Sequence, residues 1–407
     1  MGKRTGMGLY GTGFLVEESR ARELGMGTVK ELKTRILPYM NGRDLTQQSR
    51  GFYVIDLFGL KENQVIEQFP AIYQHVFERV KPERDKNNRA SYRTNWWIFG
   101  EARAKLRPAF VGLSRMIATS QTARHRIFTF IPGNTIADSK IFITALEDAF
   151  YLGVMSSRIH TTWAGATGGR MGVGNDLIYN KTHCFDPFPF PAATPAQQAR
   201  IRELAEQLDA HRKRQQAQHP SLTLTDLYNV VEKLRAAQPL SAKDQTVNQQ
   251  GLASVVLSLH QQLDAAVADA YAWPAALPDA EILTRLVRLN HERAREEQAG
   301  HVRYLRPAYQ APETEQARLS LPTAAAFSDA GRSTPATEGI APQAWPAELA
   351  QQMQALRDAL QQAAQPLTAA QVATRFKRLK PDKAEPLLQT LAALSLLRQT
   401  PEGAYVL

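Results

Sequence analysis

Apolar residues recur along this chain with two different periods, and the change of period divides it. In the first half the signal is short runs. Phe52-Tyr53-Val54-Ile55-Asp56-Leu57-Phe58 is β-branched and aromatic and predicts a strand, as do residues 96–99, 116–119, 127–131 and 141–146, which Gly, Pro, Asn and Asp turns separate. Another strand is expected before Pro38, with a turn at Asn41-Gly42. Val65, Ile66, Phe69, Ile72, Tyr73, Val76 and Val80 stand three or four apart, so one helix is expected over 65–80, stopping at Lys81-Pro82. After Pro195 the period is helical throughout. Stripes at Ile201/Leu204/Leu208, Leu224/Leu227/Val231, Leu252/Val256/Leu263 and Ile282/Leu286 predict four amphipathic helices.

The expected class is therefore α+β: a mixed sheet-containing domain, a helical region, and a small winged-helix-like unit at the C-terminus. Residues 1–30, punctuated by seven glycines, read as a linker or the remnant of a preceding domain. The sheet domain takes 31–196 and closes with Asp186-Pro187-Phe188-Pro189-Phe190-Pro191, where alternating prolines forbid helix and central strand and leave an extended clasp. Helices follow over 197–310. Residues 311–344, rich in Ala, Ser, Thr and Pro, cannot bury enough to order themselves and form a flexible linker. Over 345–407, a helix, a capping box at Thr368-x-x-Gln371, a Pro381 helix with Leu387, Leu388, Leu391 and Leu394, and a hairpin around Pro401-Glu402-Gly403 follow in winged-helix order.

Charge sharpens this picture. Between Ala71 and Phe130 there are twelve Lys and Arg against four Asp and Glu, a formal +8 in a chain of +10 overall. Such concentration favours a polyanion over general solubility, and no apolar run approaches the ~20 residues of a membrane span, so the expected partner is double-stranded DNA and the expected location the cytoplasm. Arg84, Lys86, Arg89, Arg93, Arg124 and Arg126 are the leading contacts, because arginine grips phosphate and can also hold guanine through two bonds. Of Trp96-Trp97, one ring should be core and one free to stack on a base. Arg375, Lys377, Arg378, Lys380 and Lys383 form a second basic cluster that either touches phosphate or solubilises a docking module.

Catalytic signals are absent. Gly8-x-x-Gly11-x-Gly13 lacks the preceding buried strand and following acid of a cofactor turn, and residues 165–174 lack the Lys-Ser/Thr of a phosphate loop, leaving a flexible loop beside DNA. Glu31-Leu32-Lys33 has no upstream Pro-Asp, and nine scattered histidines define no triad. Cys184, the one cysteine, excludes an internal disulfide and a multi-cysteine metal site and reads as a small buried hydrophobe. No catalytic, cofactor-binding or metal residue is assigned.

Three stretches carry a family resemblance: Pro38-Tyr39-Met40-Asn41-Gly42-Arg43-Asp44-Leu45, Tyr53-Val54-Ile55-Asp56-Leu57-Phe58-Gly59, and Tyr179-Asn180-Lys181 through Phe190-Pro191. They resemble the target-recognition region of large class I S-adenosylmethionine-dependent DNA methyltransferases, the single-chain adenine-N6 kind related to type IIG and IIL restriction-modification proteins. Asn41, Arg43 and Lys181, which lie in these stretches, join the expected DNA contacts. The similarity extends through the helices to about Tyr309. It implies that the chain reads DNA sequence for a methyltransferase of restriction-modification or phage-defence type. The family's cofactor motif and Asn-Pro-Pro-Tyr/Phe tetrad are not found, since Asp186-Pro187-Phe188-Pro189 displaces the second proline. No cofactor is expected on this chain, S-adenosylmethionine being that of the full-length family, and a separate methyltransferase half is the second expected partner. The chain is expected to be a split subunit or truncated fragment. The alternative is an autonomous DNA-binding regulator acting through its winged helix.

Overall fold

Strands β1 (Leu15–Val16), β2 (Ile36–Met40) and β3 (Tyr53–Ile55) form one antiparallel sheet in the order β1-β3-β2, which the computed structural model extends with a fourth strand described below. The structure describes residues 5–171, 176–311, 343–346, 349–363, 366–377, 379–393, 397–400 and 403–406. They divide into two compact units, 1–321 and 322–407.

β3 is shorter than the apolar run that predicts it. Asp56 N still donates to Arg35 O at 2.7 Å, while its buried carboxylate takes both arms of Arg107, at 2.5 and 3.1 Å. The helix expected over 65–80 is two, Glu62–Gln68 and Pro70–Arg79. Pro70 has no N–H to continue the first and clashes with a helical residue before it, and Phe69 accordingly leaves helical geometry. Two short helices follow, Lys81–Asp85 and Ala90–Thr94. Residues 96–99 are a turn, not a strand: Ile98 gives its carbonyl to Arg84, and Trp97 Nε1 donates to Leu60 O at 3.0 Å. Trp96 is buried and Trp97 half-buried, both against the same core. That core also takes Met7, Leu9, Phe14, Val16 and Ala21, so the glycine-rich N-terminus expected as a linker is part of the sheet domain.

The second sheet has β4 (Arg115–Ser120) at its centre, flanked antiparallel by β6 (Thr129–Pro132) and β8 (Ile141–Thr144). Between them run β5 (Thr122–Ala123) and β7 (Ile136–Ala137); β7 pairs parallel with β2 and joins the two sheets. β5 pairs with β10 (Asp176–Ile178), which pairs with β9 (Gly169–Met171). The remainder of the glycine loop, residues 172–174, lies outside the described residues.

The clasp is not extended throughout: Asp186 keeps helical geometry and forms a turn with Pro187, and the run from Phe188 onward has no regular structure. Phe188 is buried edge-on to His160 at 4.5 Å, and Asn290 and Tyr271 donate to Pro187 O and Pro189 O at 2.5 and 2.8 Å. Cys184 is fully buried. Helices Pro195–Gln218, Leu224–Arg235, Ala253–Ala270 and Asp279–Gln298 bear the four apolar stripes, and a fifth, Ala242–Gly251, has only Val247 and Gly251 buried and hence no stripe to reveal it. Their core is continuous with Ile127, Phe150, Val154 and Trp163.

In the second unit, helices Leu349–Gln361, Ala369–Ala373 and Pro381–Ala393 enclose Leu356, Val372, Leu388 and Tyr405. The capping box forms, with Thr368 N donating to Gln371 Oε1 at 2.8 Å. Most of the expected linker (312–342), Leu394, and Pro401-Glu402 of the hairpin lie outside the described residues.

Candidate nucleic-acid interface

Where β2 ends, the chain turns sharply into the short helix Gly42–Thr46. Asn41 caps it: its Oδ1 accepts from Arg43 N at 2.9 Å and Asp44 N at 3.1 Å, while Asp44 Oδ2 accepts from Asn41 N at 2.9 Å. This reciprocal box satisfies donors the helix start would otherwise leave open. Burial pushes the Asp44 carboxyl up, but hydrogen bonds from Arg50 and the Asn41 backbone outweigh it and hold it below the ordinary value. Gly42 sits hard against the end of β4, where a Cβ would lie 3.1 Å from Ser120 Oγ.

That close approach makes one wall of a groove of about 440 Å³. Asn41 and Arg43 line one side, Thr122 of β5 and Arg124 just after it another, and Asp138 and Lys140 of the β7–β8 turn a third. Each turn is braced from behind. Asp138 accepts from Tyr39 OH at 3.1 Å and from Lys140 N at 2.9 Å. His125, buried beside Arg124, lies 2.8 Å from Asn229 Oδ1 and 3.1 Å from Glu232, tying its turn to the helix Leu224–Arg235. Arg43, Arg124 and Lys140 are exposed, and among the described residues none makes an ion pair or a side-chain hydrogen bond. Three uncommitted cations on rigid supports around an open groove are suited to a polyanion.

The other expected contacts lie elsewhere. Arg84 is 1 % exposed, donating to Leu9 O and Ile98 O at 2.8 Å each between the rings of Phe14 and Tyr92. Its guanidinium holds the fold and cannot reach DNA. Arg126 is likewise structural: it donates to Thr119 Oγ1 (3.1 Å), Ser120 O and Leu177 O (2.7 Å) over the Tyr179 ring, and burial pushes its pKa down to about 10. Lys181, mostly covered, pairs with Asp186. Lys86, Arg89 and Arg93 are exposed on a different stretch and line no part of the groove; Arg89 donates to Tyr92 OH at 2.8 Å and Arg93 to Asn87 O at 2.6 Å. Of the nine expected contacts the groove thus gathers Asn41, Arg43 and Arg124. Sequence reasoning missed Lys140, Thr122 and Asp138. The Asn134 and Asp138-Ser139 turn signals flanking β7 mark that loop, but nothing in the sequence places it beside Asn41. Among the described residues no cluster of three His, Cys, Asp or Glu could hold a metal.

The part of the chain that builds this groove is similar to known proteins. Residues 4–192 match the family model of the MmeI target recognition domain. The matched residues include both sheets and the clasp. A stretch of 160 residues, 39% of this chain, is 27% identical to DNA methyltransferase A of Bacillus subtilis (strain 168). The solved structure of the type IIL restriction-modification enzyme MmeI in complex with DNA superposes on 71% of this chain with a TM-score of 0.53 and 15% identity, a likeness of fold. The chain spans 15% of the length of the first protein and 35% of the second.

Proposed function

We propose that this chain binds double-stranded DNA and reads its sequence for a DNA adenine-N6 methyltransferase of restriction-modification type, through the groove of Arg43, Arg124 and Lys140. The observation that carries this reading is the exposure of those three uncommitted cations on braced turns inside an MmeI-type recognition region. Arg43 and Lys140 neutralise phosphates and set register. Arg124, whose turn His125 anchors, reaches a base edge, where a guanidinium can hold guanine O6 and N7 together. In this reading S-adenosylmethionine and methyl transfer belong to a methyltransferase part that acts with this chain, which would flip the target adenine into its own pocket. In this reading the protein acts in the cytoplasm, where chromosomal or invading DNA is met.

Selection of bound fragments from a random duplex pool over a salt series, with sequencing, tests this. An enriched motif that persists as salt rises supports base readout, whereas binding that vanishes with salt and enriches nothing overturns it.

A further inference from the structure

The C-terminal unit carries a second set of cations, and its order of elements gives them a place. After the helix Leu349–Gln361, Leu367 bridges to Tyr405 by paired backbone bonds of 3.0 and 2.8 Å. Then come the helix Ala369–Ala373, the turn to the helix Pro381–Ala393, and the antiparallel pair β13 (Arg398–Gln399) and β14 (Tyr405–Val406), numbering the intervening short pair Gln343–Ala344 and Phe376–Lys377 as β11 and β12. Two helices joined by a turn and followed by a hairpin is how winged helices are laid out.

The exposed charges follow that layout. Lys377 and Lys380 lie in the inter-helix segment, Lys383 in the first turn of the helix Pro381–Ala393, and Arg398 on the hairpin, all exposed and without an ion pair among the described residues. Arg375 differs: it donates to Ala359 O at 3.1 Å and belongs to the fold. A protein-docking face would present an apolar centre. Among the described residues of this unit no large hydrophobic is exposed.

The helix Pro381–Ala393 also indicates what kind of contact is made. It buries Ala384, Leu388 and Leu391, so the opposite face presents Asp382, Pro386 and Gln389. Gln389 donates to Glu385 at 3.1 Å, and Asp382 repels phosphate. That face is ill-suited to base edges, whereas lysine and arginine side chains suit phosphate.

We infer that the C-terminal unit adds a second, sequence-independent contact to duplex DNA, in which Lys377, Lys380, Lys383 and Arg398 neutralise backbone phosphates. It shares with the proposed function only the partner. The test uses the full chain with Lys377→Ala, Lys380→Ala, Lys383→Ala and Arg398→Ala combined, titrated with a selected and a scrambled duplex across salt concentrations. The plot of log affinity against log salt should become less steep by about 0.9 for each phosphate left unneutralised, equally on both duplexes. Replacing the three lysines by arginine should keep the original slope, which separates removal of charge from a damaged fold. An unchanged slope overturns the inference, as does a weakening confined to the selected duplex. Should Arg124→Ala leave the selected motif intact while the four-site variant flattens the slope, the groove reading falls and the C-terminal interaction stands.

Discussion

Arg84 and Arg124 come from one basic stretch of sequence and end in opposite circumstances. Around Arg84, carbonyls of Leu9 and Ile98 and two aromatic rings fill the space a phosphate would need. Burial lowers its pKa, yet a guanidinium remains charged, so the site spends a cation on joining the N-terminal segment to the turn at 96–99. At the groove the arrangement is inverted: neighbours such as His125 and Asp138 are committed to the fold, and Arg124 and Lys140 are left open. Local charge density therefore does not single out the cations left open to a polyanion. What singles them out is whether the protein has already supplied the acceptors.

The contrast can be broken most forcefully at its buried end. Arg84→Ala should lower unfolding free energy by about 3 kcal/mol or more, because the Leu9 and Ile98 carbonyls lose the guanidinium and a cavity opens; denaturant midpoints measure this. The sequence motif selected by the folded fraction should not change. A stable Arg84→Ala protein that binds DNA poorly would reverse the assignment.

A half-buried acid sharpens the same point through pH. Desolvation raises Asp264 to about 6, against the bond from Arg158 N at 2.7 Å. Its folded pKa exceeds its unfolded one, so the folded state binds the proton first, and wild type should gain stability relative to Asp264→Asn as pH falls from above 6 towards 4. The gain approaches about 1.4 kcal/mol per pH unit at most, read from paired denaturation curves. A difference that does not vary with pH would mean that the carboxyl is not desolvated.

At the exposed end effects move from stability to recognition. Arg124→Ala should relax preference at one base pair by about 1–3 kcal/mol, tenfold or more, with unfolding free energy unchanged within about 0.5 kcal/mol. Weaker affinity without relaxed preference would reduce Arg124 to a phosphate contact. Lys140→Ala should show that lesser pattern: a uniform fall in affinity and a salt slope less steep by about 0.9. Lys86→Ala, away from the groove, should change binding least, and an effect as large as that of Lys140 would place the interface on the helices around residues 81–94 instead.

Much of the fold is legible in periodicity alone. β4, β6 and β8 and the four striped helices appear where apolar spacing puts them, because each buries one continuous face. The helix Ala242–Gly251 has no such face, and the break at Phe69-Pro70 is written in the proline but masked by an apolar spacing that runs straight through it. Asn41, Arg43 and Arg124, which line the groove, are among the contacts expected from sequence, the first two through the family resemblance and the third from charge.

By itself, then, the sequence determined the class of the protein, its recognition-domain resemblance and the excess of cations for a polyanion. Only the tertiary structure decided which cations remain available. Arg84 and Arg126 are spent on carbonyls contributed by segments distant in the chain, and Lys140 reaches Asn41 through the parallel pairing of β7 with β2. The physical reason is that an arginine's fate depends on whether buried acceptors surround it, and those acceptors assemble only when remote strands and turns pack together.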